Sequence, residues 1–151
     1  MKLANALAQR SELQTRINQL RVRLNNNALV QDGETPAEDP KDLLKELDRD
    51  YETLEALIGR INRTNNETKL DSGETLTELL ARRDCLTGKM QIMRQFLDAA
   101  SARVQRHSVG EIKIVSTVNV RTLQKQVDKL SAELRAVDET IQEKNWTTEL
   151  L

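Results

Sequence analysis

The sequence predicts an all-α protein, an antiparallel four-helix bundle with coiled-coil seams and short β pieces at the bundle ends. Three observations carry this reading. Of 151 residues, 22 are Leu, 31 % are charged, and Gly and Pro together number seven. That is the composition of long helices rather than of sandwiches or barrels. Four segments space their apolar residues alternately by three and four, the rhythm of a helical seam. Capping and turn residues stand where each rhythm begins and ends.

The first helix is expected over about 2–26, on the seam Leu3, Ala6, Arg10, Leu13, Ile17, Leu20 and Leu24. Asn25-Asn26-Asn27 closes it, since Asn tolerates the left-handed conformation at a helix end. The second helix is expected over about 40–66, with Asp39 as N-cap and Pro40 in the first turn. Its seam reads Leu44, Leu47, Tyr51, Leu54, Ile58, Ile61 and Asn65.

Asp71-Ser72-Gly73 reads as a turn. The third helix is expected over about 75–106, with Thr75 and Glu78 as a capping box. Its seam is Leu76, Leu79, Arg83, Leu86, Met90, Met93, Leu97, Ala100 and Val104. The fourth is expected over about 119–145, capped by Asn119, on Val120, Leu123, Val127, Leu130, Leu134, Val137, Ile141 and Lys144. Leu7, Leu43, Leu57, Leu80 and Phe96 widen the first three stripes, whereas the fourth is narrow. Val22 and Ile92 fall off the stripes, as single exposed apolar residues often do.

The β-branched connector 111–118 reads as a strand, and Ala28-Leu29-Val30-Gln31 is its candidate partner. A second pairing is expected between 68–70 and 146–150. Trp146, the lone Trp, and the terminal leucines are expected to dock on the bundle end or on a neighbouring subunit. One helical-bundle domain, 1–151, accounts for the whole chain.

Composition also excludes functions. There is no apolar run of membrane-spanning length. The first ten residues are too polar for a secretory h-region, so a cytoplasmic protein is expected. One Cys excludes an internal disulfide framework, and one His excludes a His-based metal cluster within one chain. The net charge of −1 and three aromatic residues argue against nucleic-acid binding. The basic first and third helices and the acidic second are expected to complement one another.

The candidate constellation is a polar layer within the seams: Arg10, Arg83, Asp138, Asn62 and Asn65. A buried Arg requires a partner, so these residues either form a polar layer around a small anion or water, or the arginines snorkel outward or fix helix register. The acidic stretch 32–40 lacks the spacing of a calcium loop and reads as a solvated loop carrying a helix cap. Cys85 lies off the seam beside Arg82 and Arg83 and reads as an ordinary thiol. His107 reads as a cation at a helix C-terminus. No catalytic motif, cofactor loop or metal-ligand spacing occurs, so neither enzyme activity nor a cofactor is expected.

The opening MKLANALAQRSELQTRINQLRVRLNNNALVQDGETPAEDP, the stretch LIGRINRTNNETKLDSGETLTELLARRD and the ending IKIVSTVNVRTLQKQVDKLSAELRAVDETIQEKNWTTEL resemble the septicolysin family of short bacterial helical proteins. That resemblance implies a membrane-lysing activity and brings no functional residue with it. The residues themselves favour a non-enzymatic, homo-oligomeric scaffold or protein-interaction module with an unidentified protein partner. A lysin and a small-anion binder are the alternatives.

Overall fold

A computed structural model describes residues 1–102 and 112–151. The described residues are all-helical, with four helices and no strand: α1 (Leu3–Asn26), α2 (Pro40–Glu67), α3 (Leu76–Ser101) and α4 (Val120–Thr147). The chain divides into two compact units. Unit 1 holds 1–76 and 143–151, and unit 2 holds 77–142.

Local chemistry starts the helices where expected. The Asp39 carboxylate accepts a hydrogen bond from the Lys41 amide at 2.9 Å, with Pro40 in the first turn. Asn119 Oδ1 accepts from the Thr122 amide at 3.0 Å. Each supplies an acceptor to a helical N–H that has no partner one turn back.

In unit 1, α1 and α2 pack on Leu3, Ala6, Leu13 and Leu20 of one helix and Leu43, Leu54, Leu57 and Ile61 of the other. Their ion pairs ascend one helix as they descend the other: Arg16 meets Asp50, while Arg23 meets Glu46 and, ahead of α2, Glu38. The chain from 143 onward completes the unit. Leu150 is buried, its amide donates to the Met1 carbonyl at 2.8 Å, and the Leu3 amide donates to the Thr148 carbonyl at 2.9 Å. Unit 2 packs Leu97 against Leu123 and Val127, with Met93, Val118 and Val120 around them. Further along, Ser131 of α4 meets Met90 and Arg94 of α3, again in opposite chain order.

The seams of α1, α3 and α4 follow the expected register, but that of α2 does not. Leu44 and Tyr51 are exposed, while Leu43, Asp50, Leu57 and Thr64 turn inward. The helix is rotated so that its inner face keeps two polar residues, each of which finds a hydrogen-bond partner.

The expected β pieces are not seen among the described residues. Segments 28–31 and 112–118 have no regular structure, and residue 111 lies outside the described residues. A two-stranded piece is only marginally stable alone, and the exposed Leu29, Ile112 and Ile114 bury nothing that would hold one. In place of a pairing between 68–70 and 146–150, two isolated antiparallel bridges form, Lys69 with Thr75 and Lys2 with Glu149. The first closes the turn in which Gly73 takes φ +85°, a conformation that favours glycine. The third helix ends at Ser101, short of the expected 106, and 103–106 and His107 lie outside the described residues. Asn27 closes α1 without entering the left-handed region, at φ −109°.

Candidate interaction surface

Unit 1 owes its polar specificity to three buried polar residues, Asn27, Asp50 and Thr64. Asp50 is 4 % exposed and receives both Nε, at 2.7 Å, and Nη2 of Arg16. Such a two-pronged pair fixes orientation as well as charge. The Arg16 hydrogen bond holds the Asp50 carboxyl below its usual range against the opposing effect of burial, and Arg49 adds a smaller pull. Asn27 joins α1 to the loop before α2: its Nδ2 donates to the Arg23 carbonyl at 2.8 Å and its Oδ1 accepts from the Glu38 amide at 3.0 Å. Arg23 then grips the Glu38 carboxylate through Nε at 3.1 Å.

Thr64, 1 % exposed, ties down the last residues of the chain. Its hydroxyl donates to the Arg60 carbonyl at 2.8 Å and accepts from the Leu151 amide at 3.0 Å. Arg60 Nε in turn donates to the Leu151 carbonyl oxygen at 2.7 Å. The Glu149 carboxylate takes Lys2 Nζ at 2.8 Å and the Met1 amino group at 2.9 Å, and both hold its carboxyl below the usual range. Of the tail residues expected to dock on the bundle end or on a neighbouring subunit, Leu150 is buried in unit 1, whereas Trp146 is 62 % exposed. Backbone hydrogen bonds join Leu150 in holding this end of the chain.

Between α1 and α2 runs an open groove of about 690 Å³. Leu13, Ala56 and Leu57 give it an apolar lining, and Arg16, Arg60 and Glu12 supply charge. A smaller hollow of about 230 Å³ is bordered by Ile17, Leu24, Leu47 and Tyr51, which is where the outward-turned Tyr51 ring lies.

The five residues of the expected polar layer fall in both units. Arg10, Asn62 and Asn65 belong to unit 1, and Arg83 and Asp138 to unit 2. Arg10, Arg83 and Asn65 are half-buried, whereas Asn62 and Asp138 are exposed. Arg83 donates from Nε to its neighbour Asp84 at 3.1 Å. Among the described residues no group of His, Cys, Asp or Glu is arranged to hold a metal ion.

Among the described residues, an uncovered apolar feature lies on α3. Its seam faces α4 through Met90, Met93 and Leu97. Ala81, Cys85, Gly88, Ile92, Phe96 and Ala99 form a second stripe, which at 3.6 residues per turn spans an arc of only about 80° on the opposite side of the helix. Ile92 is 69 % exposed and Phe96 46 %. The helix is therefore apolar on two faces, and among the described residues the face toward α4 is the packed one.

Residues 10–150 match a family of unknown function, DUF6847. The chain belongs to the DUF6847 family. It is also similar to a solved structure described as a functionally unknown conserved protein from Corynebacterium diphtheriae, at 41 % identity and a TM-score of 0.92. That similarity covers 100 % of this chain and 99 % of the other. No curated protein matches.

Membership of DUF6847 corrects the septicolysin resemblance: the family and the solved neighbour are both described as functionally unknown, and neither description carries that name. Among the described residues of this DUF6847 protein, no helix is long and apolar enough to cross a membrane.

Sequence reasoning missed Asp50, Thr64 and the outer face of α3. The first two lie one position before Tyr51 and Asn65, so a choice made on hydrophobicity alone passes them over. The α3 stripe was legible in part, since Ile92 and Phe96 are four apart, but Ala, Cys and Gly gave it little weight.

Proposed function

We propose that this protein is a non-enzymatic helical scaffold that works as a homo-oligomer and presents apolar helix faces to other protein surfaces. The observation that supports this most strongly is the second face of α3, with Ile92 and Phe96 open to solvent. Scattered exposed apolar residues are ordinary, but an aligned row along one helix marks an association surface. The exposed Ile114 and Val115, which border one hollow with Phe96 and Ala99, enlarge it. In the proposed arrangement each unit holds an antiparallel helix pair, and the reversed order of contacts within each pair supports it. A cytoplasmic setting suits the lone exposed Cys85 thiol, because thiols stay reduced there.

The test is the solution mass by light scattering across micromolar concentrations. A mass of two or more 17.2 kDa chains is the expected result. A monomer throughout that range would overturn the proposal.

A further inference from the structure

The outer face of α3 has two unlike margins. At about 100° per residue, Arg82 and Lys89, with Glu78 one turn before Arg82, flank it on a net basic side and Asp84 and Asp98 on an acidic one. The Asp84 carboxylate is 71 % exposed and pairs with its chain neighbour Arg83, a surface pair of little energetic weight. Lys89 is likewise exposed.

This asymmetry selects both an occupant and a direction. Consider a second α3 laid face to face with the first. If the two run parallel about a two-fold axis along their length, the basic margin of each meets the acidic margin of the other. If they run antiparallel, basic meets basic and acidic meets acidic. Parallel pairing of seam positions also sets a residue on one margin against the residue five further along the other helix, which places Asp84 against Lys89 of the partner. The same register puts Ile92 against its own copy at the centre of the contact. Gly88 leaves open space there, since a Cβ at that position would meet nothing within 4 Å. The apolar surface continues past Phe96 and Ala99 to Ile114 and Val115, which border a hollow of about 280 Å³.

We propose that the outer face of α3 is a self-association surface, pairing in parallel with the same face of a second copy, Asp84 against the partner's Lys89 and Cys85 against the partner's Cys85. This rests on the homo-oligomeric reading above and gives it a face, a direction and a register.

Cys85, the chain's only cysteine, reports on all three. A short bis-maleimide is applied to the full-length protein at micromolar concentration, and solution mass is measured in parallel. Covalent dimer is expected as the main product. It should be lost in Ile92→Asp and in Cys85→Ser. Lys89→Glu should weaken dimerisation by about fivefold, and the double exchange Asp84→Lys with Lys89→Asp should restore it. All these positions face solvent, so far-UV helicity should be unchanged in each variant.

A dimeric mass without cross-linking would overturn the face and register while leaving the homo-oligomeric reading standing. The antiparallel alternative centred on this stripe would hold the two thiols about 15 Å apart along the axis and give that result. Cross-linking that persists in Ile92→Asp would mark random collision and overturn the proposal. A monomeric mass would overturn both readings and leave a different protein as the occupant of the face.

Discussion

Asp50 lies almost wholly inside unit 1, yet the Arg16 that neutralises it keeps about half of its side chain in solvent. The buried partner carries the risk and the exposed partner removes it. Asp50→Asn keeps the shape and loses the charge-assisted pair, at a cost of about 1–3 kcal/mol. Arg16→Met should destabilise at least as much, because it leaves an uncompensated buried carboxylate. Urea unfolding of the two variants checks this order.

Three carboxylates are held below their usual range: Asp50 by Arg16, Glu38 by Arg23, and Glu149 by Lys2 and the Met1 amino group. A group with a depressed folded pKa binds protons more readily in the unfolded chain. Its contribution to stability is therefore complete above the ordinary carboxylate range and is lost as pH falls through the folded values. Melting temperature should be flat at neutral pH and fall steadily below about pH 4. In Asp50→Asn that acid fall should be shallower.

The attachment of the last residues depends on a hydroxyl and one leucine. Thr64→Val retains the volume but leaves the Leu151 amide without its acceptor and should cost about 1–2 kcal/mol. Leu150→Ala should cost about 2–4 kcal/mol, as truncation of a buried leucine does. In both variants, hydrogen exchange at the Leu3 and Leu150 amides should accelerate before that of the helix centres.

Arg10 and Arg83 are half-buried seam residues, and Arg83 pairs with its chain neighbour Asp84. If they only mark register, Arg10→Leu with Arg83→Leu should be neutral or stabilising. Thermal melts with and without phosphate check this, and the parent protein should show no phosphate-dependent gain.

Most of the helical framework was legible because it is local. Asp39 before Pro40, Asn119 before Val120, and the leucines of α1, α3 and α4 are all read within one or two turns. The register of α2 was not legible. Leu43–Leu44 and Leu57–Ile58 offer apolar residues to both candidate faces, so the decision fell to Asp50 against Tyr51 and Thr64 against Asn65. Periodicity prefers Tyr51. The structure prefers Asp50 and Thr64 because Arg16 and the Leu151 amide satisfy them, and those partners lie 34 and 87 residues away along the chain. The strand expected near 111–118 failed for a related reason: β-branched residues favour extension, but a strand needs a neighbour. The outer face of α3 was obscured because Ala, Cys and Gly carry little hydrophobic signal until helix geometry lines them up with Ile92 and Phe96.

The central claim is that this face joins copies of the chain. Sedimentation equilibrium of the wild-type protein beside Ile92→Asp/Phe96→Asp tests it most directly. A multiple of 17.2 kDa is expected for the wild type and 17.2 kDa for the variant, with equal helicity. A wild-type monomer, or a variant that keeps the wild-type mass, would contradict it.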